Sequence, residues 1–160
     1  MDRITARLNA LLGALDQLGT WLAPLVLRLL LAREFWDSGV EKLHGQNWFA
    51  DIQERFPFPF NLLPADLSWQ IATAFELIGP VALVLGLGTR FFSLSLSILT
   101  LVAIAAVHAG HGYTISEGGW KLPLIYLVMF LPLILSGPGK LSLDHWLRGR
   151  YLRSERRLWS

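Results

Sequence analysis

The sequence predicts an all-α fold, a bundle of four transmembrane helices, and three observations carry that prediction. Hydrophobic residues make up 53% of the 160 and charged residues only 16%, with a mean hydropathy of +0.45. That composition belongs to integral membrane proteins rather than soluble domains. Four apolar stretches recur along the chain, at about 21–38, 67–87, 91–107 and 122–136. Each approaches the roughly 20 residues a helix needs to cross a bilayer. Lysine and arginine, finally, are segregated between alternate loops.

Each element follows in order. Ile4, Leu8, Leu11, Leu12, Leu15 and Leu18 recur at three and four residues. This spacing predicts an amphipathic N-terminal helix, lying on the membrane surface or extending the first span. Asp16 and Gln17 interrupt any apolar signal-peptide region, and no small-residue cleavage site follows. The second and third spans are joined by GLGTR, a tight turn. The fourth ends at Gly137-Pro138-Gly139, where glycine takes the left-handed cap and proline cannot continue the helix. Residues 46–66 carry Trp48, Phe49, Ile52 and Phe56 at helical spacing, which predicts a short helix in the external interface. Residues 108–121 form a glycine-rich loop. The expectation is a single membrane domain over residues 1–160, closed by a basic cytoplasmic tail at 140–160.

Orientation follows from the basic residues, because cytoplasmic loops carry the excess of Lys and Arg. Arg3, Arg7, Arg90, Lys140, Arg148, Arg150, Arg153, Arg156 and Arg157 fall on one side; Lys42, Arg55 and Lys121 fall on the other. This places both termini in the cytoplasm. The chain has no cysteine, which excludes disulfides, thiol catalysis and thiolate metal sites. Neither its net charge of +2 nor any motif points to nucleic acid as a partner.

The charges within the spans are the candidate functional groups, since an ionisable side chain in the bilayer is costly and by default functional. Arg28 and Glu76 sit near the middle of the first and second spans, and the expectation is a buried ion pair between them. Glu34, Asp37, Glu41 and His44 follow one another at three, four and three residues, one stripe on the first helix. Arg33 borders the stripe and Lys42 points elsewhere. The six residues Arg33, Glu34, Asp37, Glu41, Lys42 and His44 predict a polar pocket, opening to the external side. His108 and His111 lie at the same level, and with Glu41 and His44 they form a candidate site for a divalent metal.

Three segments resemble one family. RLLLAREFWDSGVEKL, ELIGPVALVLGLGTR and SGPGKLSLDHWL are similar, in that order, to the opening, second-helix and closing motifs of DoxX membrane proteins. The resemblance covers residues 28–147 and singles out Arg28, Gly39, Lys42, Glu76, Gly79, Gly86, Arg90 and Asp144. It implies a four-helix bundle in the bacterial inner membrane. Similar members are linked to thiosulfate oxidation by quinone and to redox-stress complexes. The segment EKLHGQNWFADIQERFPFPFNLLP is similar to a subgroup found beside genes for small secreted metal-binding peptides.

The expected function is therefore an accessory membrane protein in metal (copper) or oxidative-stress handling. One alternative is a quinone-interacting subunit of an oxidoreductase complex. Another is a docking partner for a membrane or periplasmic protein. No motif here binds flavin, haem or iron–sulfur, so an autonomous enzyme is the least favoured class. The topology has a direct test in this cysteine-free chain. Cysteines replacing Gln46 and Ser116 should react with an impermeant maleimide on intact cells, and one replacing Ser154 should not. Labelling at position 154 would reverse the orientation.

Overall fold

The computed structural model describes the backbone of residues 2–158 and the side chains of 3–150. Arg153, Arg156 and Arg157 of the basic tail lie outside the residues with described side chains. Helix is the only regular structure among the described residues. It is arranged as α1 (Asp2–His44), α2 (Phe49–Ile52), α3 (Ala65–Leu85), α4 (Thr89–Ala103), α5 (Lys121–Leu135) and α6 (Leu143–Leu158).

α1 runs unbroken for 43 residues, with Pro24 inside it. The amphipathic N-terminal segment is thus an extension of the first spanning helix. α1, α3 and α4 with its continuation to His111 are long and apolar enough to cross a membrane, and α5 is a shorter apolar helix. α1 packs on α3 and α5, and α4 packs on α3 and α5, which closes a four-helix bundle. Leu31, Phe35, Leu83, Leu96, Phe130 and Leu133 fill its centre. Leucines and valines on the outer faces stay exposed, as they must where the solvent is lipid.

α2 and two 3₁₀ turns, at residues 53–55 and 60–62, make up the short helical segment predicted between the first two spans. The ring of Phe49 packs edge-on against Trp48, Phe56 and Trp69, with centroids 4.9, 5.2 and 5.0 Å away. These contacts fasten the segment to the first turns of α3.

Two glycines set the register. At Gly39 a Cβ would stand 2.8 Å from the carbonyl carbon and oxygen of Glu76, so the α1 and α3 backbones touch there. Gly86 ends α3 at φ 66°, and Leu87 and Gly86 donate to the carbonyls of Ala82 and Leu83 at 2.9 and 3.2 Å. That is the Schellman stop, which glycine fills without strain. A Cβ on Gly86 would also strike Arg28 Nη1 and Ser142.

Arg28, fully buried, reaches into this turn. It donates to Leu83 O at 3.2 Å and to Leu141 O, and it feels the charge of Asp144. The Asp144 carboxylate in turn accepts from the N–H groups of Gly88 (2.8 Å) and Thr89 (3.0 Å), capping α4 from outside its own helix. Asp144 N–H donates to Gly86 O at 3.0 Å. One knot therefore joins α1, the α3–α4 turn and the start of α6.

The Gly39 contact generates a prediction. Gly39→Ala should lower stability by roughly 1–3 kcal/mol, because the added methyl forces two backbones apart. Gly13→Ala, where a Cβ meets nothing within 4 Å, should leave stability unchanged or raise it slightly. Thermal unfolding of both variants in detergent checks this; equal melting would remove the close contact from the account.

Candidate functional site

The end of the bundle opposite the Arg28 knot contains a cavity of about 410 Å³ between α1, α3, α4 and α5. Its polar floor is an ion pair. Lys42 Nζ lies 2.7 Å from Glu76 Oε2, with the two side chains only 13% and 10% exposed. Ser38 completes the group, accepting from Lys42 Nζ at 2.8 Å and donating to Glu76 Oε2 at 3.2 Å. Two opposite charges and a hydroxyl thus satisfy one another where neither charge alone is tolerable.

This overturns the expected pairing of Arg28 with Glu76. The reason is the lean of side chains along a helix: each Cβ tilts toward its own helix N-terminus. α1 and α3 run antiparallel, so their side chains lean in opposite directions. Gly39 is level with Glu76. Lys42, one turn beyond Gly39, leans back toward that level, and Glu76 leans up to meet it. Arg28 lies 11 positions before Gly39, about 16 Å along the axis, and leans further away.

The walls are aromatic and polar. Trp48 stands at the mouth, Trp69 and Phe35 form apolar sides, and Tyr126 enters from α5. Tyr126 OH donates a hydrogen bond to Glu34 Oε2. Glu41 and Thr100 also border the space. His108 lines it from a π turn at residues 104–108 that follows α4. Such turns are rare and recur at functional sites. His108 Nδ1 is held by Gly118 O at 2.6 Å, so the glycine-rich loop fixes the ring.

Of the six residues predicted to line a polar pocket, the structure brings Glu34, Glu41 and Lys42 together on this cavity. It does not bring Arg33, Asp37 or His44. Arg33 and Asp37 pair with each other at 3.1 Å on an exposed face of α1, and His44 turns back to Val40 O at 3.0 Å. The metal set is a second correction. Of His108, His111, Glu41 and His44, only His108 and Glu41 border the cavity. The π turn and the 3₁₀ turn after it break the α-helical period that would align the two histidines, and His111 Nδ1 bonds Val107 O at 3.1 Å instead. Among the described residues no group of three His, Cys, Asp or Glu is placed to hold a metal ion.

Ser38, Trp69 and Tyr126 were not foreseen. Ser38 had a signal, since it precedes Lys42 by four residues and so lies beneath it on the helix. Tyr126 had one too, as a lone hydroxyl in the apolar run KLPLIYLVMFLPLIL.

The DoxX family model matches residues 23–109. The chain belongs to the DoxX family. It is a membrane protein of that type, with the lipid bilayer as the environment of its apolar helices. An uncharacterized protein of Haemophilus influenzae is 54% identical over 134 residues, covering 84% of this chain and 89% of that protein. A second uncharacterized protein of the same organism is 37% identical over 110 residues, covering 64% of this chain and 78% of its own length. No solved structure matches. Of the eight positions that the DoxX motifs single out, the fold gathers Arg28, Gly86 and Asp144 into the knot. It gathers Gly39, Lys42 and Glu76 at the floor of the cavity.

A double-mutant cycle tests the floor. Glu76→Gln alone should destabilise the bundle by about 3–5 kcal/mol, leaving Lys42 buried without its counter-ion. Adding Lys42→Met should recover most of that loss, whereas adding Arg28→Met should deepen it. Unfolding in mixed micelles gives the coupling energies; additive Lys42 and Glu76 effects would dissolve the pair.

Proposed function

We propose that this DoxX-family chain is an accessory protein of the bacterial inner membrane that holds a quinone-type ring in the cavity above Lys42 and Glu76. On this reading it serves redox or oxidative-stress handling rather than acting as a self-sufficient enzyme. Both termini face the cytoplasm and the cavity opens outward, in keeping with the distribution of Lys and Arg. The observation that carries the reading is the pairing of flat aromatic walls with one buried, hydrogen-bonded ion pair. Binding sites for small molecules are largely apolar, with a few convergent polar groups that fix orientation.

The residues fit such a ligand. Phe35, Trp69 and Tyr126 present ring surfaces, and Lys42, which gives two of its three N–H groups to Ser38 and Glu76, keeps one donor for a carbonyl oxygen. A bound quinone supplies two-electron, two-proton carrier chemistry. Glu76 holds a carboxylate against Lys42, an acid–base couple placed to take up or return a proton at the cavity floor. Electrons come from a partner protein, which is why the role is accessory. The metal-handling alternative draws no support from the cavity, where only His108 and Glu41 stand as donors of that kind.

Trp48 and Trp69 make the binding test direct. Titrating a short-tailed ubiquinone analogue into purified protein should quench tryptophan fluorescence saturably. Lys42→Met/Glu76→Gln should weaken that binding at least tenfold, and Glu54→Gln, away from the cavity, should not. Quenching that never saturates, or that ignores the double variant, rejects the reading.

A further inference from the structure

The Arg33–Asp37 pair is placed where a membrane protein can least sustain it. Their side chains are 72% and 56% exposed. Yet they do not lie beyond the end of the bundle. Arg33 shares a shallow groove with Val81, Val84 and Leu85 of α3, and Gly39, just past Asp37, is level with Glu76 in the middle of that helix. The pair thus faces outward alongside the spanning part of the apolar helix α3. Charged side chains at such depth face protein or a water-filled cavity, not hydrocarbon. Something covers them.

The same face of α1 is apolar along much of its length. Ile4, Leu8, Leu11, Leu15, Leu22 and Val26 are all half-exposed or more. At 100° per residue they lie with Arg33 and Asp37 on an arc of roughly 80°. Because α1 is one unbroken helix, this is a single stripe. It is apolar over its first turns and closes with one positive and one negative charge, one turn apart.

We propose that the stripe is the contact between two copies of this chain, packed α1 against α1 in parallel about a two-fold axis normal to the membrane. The stripe is its own complement. A two-fold axis beside α1 sets Arg33 of each copy next to Asp37 of the other, so four charges close a neutral cluster away from lipid. The same axis sets each apolar residue of the stripe against its own copy, at the three-and-four spacing that helix pairs use. An unrelated partner would need to supply both features at matching heights; a second copy supplies them by symmetry. The contact stands apart from the cavity and does not depend on what the cavity binds.

The test uses single cysteines in native membranes with a short bismaleimide. Leu15→Cys, on the stripe, should give a crosslinked dimer. Gln17→Cys, on the opposite side of the helix, should not. In the Leu15→Cys background, Arg33→Asp or Asp37→Arg alone should cut the crosslink at least tenfold, since each makes the cluster all of one sign. Co-expressing the two variants with different tags should restore a mixed dimer, because their charges are again complementary. Yields are compared per molecule present in the membrane. If the charge variants fail to accumulate, the Leu15 and Gln17 comparison decides. Equal crosslinking at Leu15 and Gln17 overturns the dimer. So does a Leu15 crosslink that ignores both charge changes, or a mixed pair that stays apart.

Discussion

The touching of α1 and α3 at Gly39 fixes the height of the polar groups those two helices contribute to the bundle. With no side chain at Gly39, the α1 backbone meets the carbonyl of Glu76. Once those levels match, the opposite lean of side chains on antiparallel helices does the rest. Lys42 comes down onto Glu76. Arg28 goes the other way, into the turn that closes α3. Sliding α1 by one turn would leave two buried cations and a buried carboxylate without partners, which is far more costly than any apolar mismatch. The charges do not so much stabilise the bundle as forbid its other registers.

The two ends of the bundle consequently differ in kind. At the Arg28 end Asp144 caps α4 and receives the field of Arg28, the carbonyls of Leu83 and Leu141 accept the guanidinium, and glycine leaves no spare volume. That end is tied by hydrogen bonds, and the pocket beside it, about 680 Å³ along Gly88, Arg90 and Asp144, lies outside the knot. At the other end the Lys42–Glu76 pair lies under an open space of about 410 Å³. A π turn and a loop shape its rim where a regular helix would have continued. A site needs a firm base and a mouth that admits its ligand. The knot supplies the first, and the aromatic segment after α1 frames the second.

Much of this was legible in the sequence, and what was not has identifiable causes. The apolar stretches, the turn at GLGTR and the stop at Gly137-Pro138 read directly, because hydropathy and glycine chemistry are local. The presence of buried charges read directly too. Their pairing did not, since it depends on the register between two helices, and one glycine sets that. Asp144 as a cap for α4 lies 55 positions from the N–H it serves, beyond any local signal. The histidines were misjudged for a different reason: assuming α-helical period through His111 aligned them, and the π turn removes that alignment.

The acidic stripe shows the same limit at finer scale. Glu34, Asp37, Glu41 and His44 lie at three, four and three residues, and their arc straddles the edge of the cavity, so its two halves face different things. Glu34 and Glu41, seven residues apart, fall nearly in line and turn into the cavity. Asp37 and His44, also seven apart, fall in a second line displaced by roughly 60–80°, past the edge that α5 covers. One flank of α1 therefore holds its acids against Tyr126 and the cavity, and the other turns Asp37 toward Arg33 and away from the bundle. A helix with polar groups on both flanks cannot sit at the margin of a bundle with only lipid beyond it. In the dimer proposed above, α1 is a wall between two protein-lined spaces, one enclosed by the four helices of its own chain and one closed by the second copy.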